Sequence, residues 1–136
     1  MLDAEAVVRD WVNNHPVLSG PGNPLAAGAH LKRIRHQGVY AFLLTVGTPA
    51  DIVHEVPVGK ARISATIYGP TKEAASRGAV AYGSLLEQIQ LGHQERMGDY
   101  TCVMVDNITG PIPVDDALTT REEFRYLVDA DFWITV

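Results

Sequence analysis

The chain has 136 residues, of which 46% are hydrophobic and 20% charged, the balance of an ordinary globular domain that needs no metal or disulfide to bury a core. Its formal net charge of -5 argues against a protein that grips nucleic acid through the phosphates, because that binding needs clustered Lys and Arg. The single cysteine, Cys102, excludes an internal disulfide and a cysteine-based zinc site, and we expect it to be a small core residue.

The N-terminal segment predicts a short amphipathic helix. Asp3 precedes it, and the helix should end at Asn13 and Asn14 because Pro16 disfavours helical geometry at His15. Residues 16–30 are rich in proline and glycine and predict loops or short turns within one domain.

Four later stretches have the patterns of strands. Residues 39–46 are almost wholly apolar, which is typical of a central strand covered on both faces. Residues 61–68 and 124–136 alternate apolar and polar side chains and predict half-buried strands, while residues 100–105 predict another apolar strand. The polar stretches 47–59 and 106–120 contain Gly and Pro and are interpreted as long loops.

Between these strands, residues after Thr71 predict a long helix. Thr71 can cap it, and Glu73 places a carboxylate at its positive end. The apolar residues that recur at helical spacing are Ala75, Gly78, Ala79, Tyr82, Leu85, Leu86 and Ile89. The predicted fold is therefore a single α+β domain over residues 1–136, in which one long amphipathic helix packs on an antiparallel or mixed sheet beside a short N-terminal helix.

Candidate catalytic and ligand-binding patterns are weak. The five histidines form no His-x-x-x-His or His-x-His pair, and the chain offers no phosphate-binding glycine motif, so we expect no catalytic site, no metal and no cofactor. The basic run formed by Lys32, Arg33, Arg35 and His36, with His30 nearby, is interpreted as a solvated surface, with a phosphate site as the alternative. An acidic start and the lack of a long apolar run indicate synthesis in the cytoplasm and no membrane association.

Trp133 is unusual because it falls on the polar face of the last strand. Its ring should therefore cover something other than the core of the sheet. A neighbouring element of the same chain and a subunit interface are both open interpretations.

Several motifs, taken in order, resemble the tail terminator (tail-completion) proteins of long-tailed bacteriophages, especially the minor tail proteins of actinobacterial phages. Residues 7–16 (VVRDWVNNHP) resemble that family's opening helix, which ends in His-Pro. Residues 61–75 (ARISATIYGPTKEAA) resemble its Ala-Arg-Ile strand, aromatic-Gly turn and helix opening. The resemblance extends in order over most of the chain to an Arg-Tyr strand at Arg125 and Tyr126.

This resemblance implies a structural virion protein rather than an enzyme. Copies would form a homo-hexameric ring at the head-proximal end of the tail, stop polymerisation of the tail tube protein and dock to a head-completion or neck protein. DNA would pass through the lumen without specific binding. Our candidates for sheet-side packing between subunits are Arg62, Tyr68 and Trp133, and the segment 47–60, with Asp51, Val53 and His54, is the candidate contact with tube or neighbour.

The sequence leaves two alternatives open. Another head-to-tail neck or connector protein would use a similar small α+β scaffold. A small ligand-binding or enzymatic α+β domain is the alternative from a different class, and it would require polar groups that converge in a pocket.

Overall fold

A computed structural model of the chain describes residues 3–32, 38–46, 52–53, 58–114 and 124–135. The secondary-structure elements are α1 (Ala4–Asn14), β1 (Ala29–His30), β2 (Tyr40–Val46), β3 (Ile52–Val53), β4 (Val58–Gly69), α2 (Lys72–Gln90), β5 (Glu95–Met97), β6 (Tyr100–Pro113) and β7 (Phe124–Thr135). The fold is α+β, as the sequence predicts. β1, β3 and β5 are two or three residues long and have no clear sequence pattern.

The strands form one mixed sheet in the order β1-β2-β4-β7-β6-β5, and β3 pairs with β4 outside this path. β1 runs parallel to β2, and every other pair of neighbours is antiparallel. The longest ladder joins β4 to β7, from Val58 opposite Thr135 to Gly69 opposite Phe124. This pair forms the centre of the sheet.

One face of the sheet, called the inner face here, is covered by both helices. Alternate residues of the strands point to that face, as the period of two requires. They share one core cluster with the buried residues of α1 and α2, and its fully buried members include Val8, Val12, Leu43, Ile63, Ala79, Tyr82, Leu86, Val105, Val128 and Phe132. The opposite face is called the outer face.

The helix starts follow the sequence signals. The carboxylate of Asp3 accepts a hydrogen bond from the amide of Ala6 at 3.2 Å, and the hydroxyl of Thr71 accepts one from the amide of Ala74 at 3.1 Å. The predicted N-cap Thr71 is confirmed, and the structure adds Asp3 as the N-cap of α1. α1 ends at Asn14 because His15, before Pro16, is extended (φ -77°, ψ 121°).

The prediction that residues 39–46 form a central strand covered on both faces is wrong. β2 lies next to the end of the sheet, where β1 pairs with Ala41 and Phe42 alone. On the outer face, Leu44 and Val46 are 50% and 45% exposed. Apolar residues on both faces therefore do not indicate burial on both faces within the single chain.

The strand predicted over residues 100–105 continues to Pro113, so the predicted loop from Asp106 is wrong for its first part. β6 tolerates Pro111 and Pro113 because three register shifts interrupt its pairing with β7. Its other side pairs with β5 from Tyr100 to Cys102, and no described strand continues that pairing. Proline is accepted on such an edge, where an N–H is not needed by a neighbouring strand.

Cys102 lies in the core with no solvent exposure, as predicted. Burial raises the pKa of its thiol to about 11, although hydrogen bonds to the backbone act in the opposite direction. The thiol is therefore protonated at neutral pH and a poor nucleophile. Neither of the two described helices is long and apolar enough to cross a membrane.

The junction between β4 and α2 depends on a glycine. A Cβ at Gly69 would lie 2.8 Å from the backbone nitrogen of Ala75, whereas a Cβ at Gly83 would meet Pro111 at an ordinary 3.9 Å. We expect Gly69→Ala to lower the free energy of unfolding by about 1–3 kcal/mol, because the first turn of α2 must move away from the strand. Gly83→Ala, the control, should raise it by about 0.5–1 kcal/mol through helix propensity. Urea denaturation of both variants checks this, and equal effects would contradict the packing described here.

Candidate subunit interface

The outer face combines a polar centre with apolar flanks. The register of the strands places Ser64 and Arg62 of β4 beside Asp129 and Asp131 of β7 in the centre. β2 forms one flank with Phe42, Leu44 and Val46, and β6 forms the other with Met104 and Ile112. Among the described residues, no helix lies over this part of the sheet, because both helices contribute to the core of the inner face.

Asp131 is the centre of a hydrogen-bonded network. Its two carboxylate oxygens accept from Arg62 Nη1 at 3.2 Å and from Asn107 Nδ2 at 2.8 Å, and Lys60 Nζ lies 3.8 Å away. Arg62 Nη1 also donates to the carbonyl oxygen of Asn107 at 3.2 Å, and its Nη2 lies 3.4 Å from the hydroxyl oxygen of Thr109. Arg62 is thereby fixed along the outer face by its own chain.

A bulge in β6 brings Asn107 to this network. The pairing of β6 with β7 shifts between Asp106 and Thr109, and Asn107 has a positive φ of 50°. Bulges redirect side chains in this way, and Asn tolerates the left-handed region better than most residues. Because sequence reasoning assigned Asn107 to a loop, it missed this partner of Asp131.

Burial and the neighbouring donors have opposite effects on the pKa of Asp131. Burial raises its pKa, but the hydrogen bonds from Asn107 and Arg62 and the positive charges of Arg62 and Lys60 outweigh burial and hold the pKa below its usual value of 3.8. Asp131, which is 6% exposed, is thus an ionised buried group compensated by donors. The Asp131 carboxylate is therefore paired within the chain rather than a free charge for a ligand.

Trp133 lies beside the network, opposite Lys60 in β4 and next to Met104 in β6. Lys60 Nζ is 5.1 Å from the centroid of the Trp133 ring, a cation–π contact. The ring is partly buried, and its indole nitrogen is buried without a hydrogen-bond partner. The same chain therefore covers part of Trp133, and the remaining part of the ring stays available to a neighbour.

The other predicted interface residues have different surroundings. Tyr68 is 4% exposed and stacks on Tyr40 with ring centroids 5.0 Å apart, so its ring is covered within the chain. Asp51 and His54 lie outside the described residues, and Val53 is described through its backbone, which pairs with Val58. Arg62 and Trp133 thus lie together on the outer face, whereas the Tyr68 ring on the same face is buried against Tyr40.

The remaining sequence candidates for a metal or ligand site are the histidines, the acidic side chains and the basic run. Over the part of the chain that the structure describes, no three His, Cys, Asp or Glu side chains lie close enough to hold a metal. Arg33, Arg35 and His36 of the basic run lie outside the described residues, while the His30 ring nitrogen lies 2.8 Å from the carbonyl oxygen of Ala27. An open groove beside the start of α2 is lined by Lys72, Glu73, Ser76, Arg77, Val80 and Tyr126.

Comparisons of the chain with protein-family models, with curated proteins and with solved structures found no match.

The network around Asp131 should make stability depend on pH. Because the pKa of Asp131 is lowered in the folded state, its contribution is fully present above the unfolded value near 3.8 and is lost as pH falls through the lower, folded value. We expect Asp131→Asn to lower the free energy of unfolding by about 1–3 kcal/mol at neutral pH. The difference from wild type should shrink below about pH 4.

Denaturation of both proteins between neutral and acidic pH measures this difference. Asp10→Asn is the control, because the exposed Asp10 pairs only with its neighbour Arg9 among the described residues, at 2.9 Å. Surface pairs of this kind contribute about 0–1 kcal/mol. A loss in Asp131→Asn that is no larger than in Asp10→Asn, or that persists unchanged in acid, would contradict the network.

Proposed function

We propose that this protein is a structural component of a bacteriophage virion that forms a ring at the head-proximal end of the tail tube. The ring ends tube polymerisation and docks the tail to the head or neck. The support from sequence is the ordered resemblance to tail terminator proteins, from the His-Pro helix end to the final Arg-Tyr strand. The support from the structure is a surface suited to contact with another subunit.

The outer face is the observation that carries this proposal. Met104 and Ile112 on one flank are 38% and 43% exposed, and Leu44 and Val46 on the other flank are about half exposed. Large apolar residues that flank a fixed polar centre are typical of a surface that a partner covers. Arg62 and Trp133 lie between these flanks.

Ring assembly needs two unlike surfaces on each copy, because each contact joins one patch to a different patch on the next copy. Among the described residues, both helices cover the inner face and no helix covers the outer face, so the two sides differ in this way. From strand spacing and rise, the outer face between β2 and β6 measures roughly 14 Å by 20 Å. A standard interface buries about 800 Å² on each partner, so further segments must contribute to the contact. The segment 47–60 is our candidate.

The proposed function also implies which partners the protein binds and where it is located. They are further copies of the chain in a hexamer, the tail tube protein and a head-completion or neck protein. The assembled ring belongs to the virion, and the DNA passes through its lumen without specific binding. An acidic chain suits a lumen of this kind because it does not attract phosphates.

The mass of the purified protein in solution tests the proposal. Light scattering should give six times the 14.8 kDa subunit mass, either for the protein alone or after mixing with tail tube protein. A monomer in both conditions would contradict ring formation.

A neck or connector protein is the second candidate, and the same outer face favours it because such proteins also assemble as rings. The two candidates differ in their effect on the tube. A terminator shortens tubes that polymerise in its presence, whereas a connector leaves their length unchanged.

Substitutions on the outer face should prevent assembly. We expect the double variant Met104→Lys/Ile112→Lys to remain at the monomer mass, because burying two added charges without partners is unfavourable. The control Val17→Lys/Leu91→Lys adds the same charge at residues that are 62% and 81% exposed and lie away from the outer face. It should assemble like wild type. Light scattering on folded samples checks both, and an outer-face variant that assembles like wild type would place the contact elsewhere.

A further inference from the structure

The strand β2 has an edge that could pair with another strand. β1 pairs with Ala41 and Phe42, and no strand within the described residues continues along that side over Leu43–Val46. Unpaired strand edges carry backbone groups that pair readily with other chains. This edge therefore needs protection.

The sequence of β2 also favours pairing of this edge with another chain. Tyr40–Val46 (YAFLLTV) contains no charged residue and no proline. Uncharged segments of this length with high strand propensity are those that pair with copies of themselves. Leu44 and Val46, on the outer face, add exposed apolar surface beside the same edge.

The opposite side of the sheet is protected differently. β6 extends beyond its pairing with β5 and carries Pro111, Pro113 and three register shifts in that stretch. Prolines and bulges are established means of preventing edge pairing. β2 has neither within Tyr40–Val46.

Glu5 contacts this edge of β2. Its Oε1 accepts a hydrogen bond from the amide of Thr45 at 2.5 Å, across 40 residues of sequence. The amide of Ala41 donates to the carbonyl oxygen of Gly28, in the segment that leads into β1. Amides of alternate residues in a strand face the same side, so the Thr45 amide, four residues further along, faces this edge too. Glu5 there occupies the position that a strand partner would take.

The helix that carries Glu5 is firmly held. Val8 and Val12 of α1 are fully buried and Trp11 is nearly so. These residues belong to the same core cluster as Ala41 and Leu43 of β2. α1 thus fixes Glu5 at the strand edge.

We infer that Glu5 blocks self-association of this chain through the edge of β2. The occupant that it excludes is the β2 edge of a second copy. In an antiparallel pair of identical segments, Leu44 and Val46 of one copy would lie beside the same residues of the other, joining two apolar patches. This contact differs from the outer-face contact of the proposed ring, and the inference does not depend on that ring.

The test compares Glu5→Ala with Glu73→Ala by sedimentation velocity over a range of concentrations. Both residues are acids in the first turn of a helix, so both variants lose the same favourable interaction with the helix dipole. We expect Glu5→Ala to form species larger than those of wild type. They should appear at concentrations at least about tenfold lower than any self-association of wild type, which corresponds to a change of about 1.4 kcal/mol in the free energy of association. Glu73→Ala should match wild type.

A second variant identifies the surface. Glu5→Ala/Thr45→Pro also removes the Thr45 N–H, and proline is accepted at a strand edge. We expect it to return to the wild-type mass. Growth of Glu73→Ala equal to that of Glu5→Ala, a wild-type mass for Glu5→Ala, or growth that persists in the double variant would each overturn the inference.

Hydrogen exchange keeps the inference testable if Glu5→Ala does not fold. In wild type, the Thr45 amide should exchange more slowly than an unprotected amide, and exchange at the unprotected rate would overturn the inference. The ring proposal fails separately, through the mass of the wild-type protein.

Discussion

The ladder between β4 and β7 is the constraint on which the rest of the structure depends. Twelve residues of each strand are paired, which fixes the register of the sheet centre and assigns every side chain to one face. On the inner face, small and large residues lie opposite each other, with Ala61 beside Phe132 and Ile63 beside Ala130. This alternation gives α2, with small residues at Ala75 and Ala79, a surface on which it packs closely.

The same register creates the outer face. When the inner residues are fixed, Arg62 must lie beside Asp131 and Lys60 beside Trp133 on the opposite side. Burial of the Asp131 carboxylate is unfavourable by itself, and the donors of Arg62 and Asn107 offset that cost. The Asp131 carboxylate at the centre of the face is thus hydrogen-bonded within the chain, whereas the flanks on β2 and β6 keep apolar side chains in solvent. A partner would gain contact area from the flanks without having to break the central network.

Local signals in the sequence predict the helices and the long alternating strands, because capping by Thr71 and periods of 3.6 and 2 depend on neighbouring residues. They do not predict β1, β3 or β5, which exist through pairing with distant strands. The sequence does not predict the extension of β6 to Pro113 because Gly and Pro usually end a strand. Bulges, and an edge with which no described strand pairs, permit them here. The apolar pattern of β2 predicts cover on both faces wrongly for a related reason. The pattern shows that both faces are apolar, but it does not show which element covers each face.

Prediction of the candidate interface was limited in the same way. Trp133 on a polar face was a usable signal, and the structure places Arg62 near it. Tyr68 shares that face by alternation, but its stack on Tyr40 depends on the cross-strand register. The contacts from Asn107 to Asp131 and from Glu5 to Thr45 cross 24 and 40 residues, and no local pattern announces them.

The proposed role as a tail terminator can be tested directly on tubes. Tail tube protein would be polymerised with and without this protein, and the tubes measured by negative-stain electron microscopy. The account predicts shorter tubes that carry a six-fold ring at one end, with the mean length falling as more protein is added. Tubes of unchanged length without a terminal ring would contradict it.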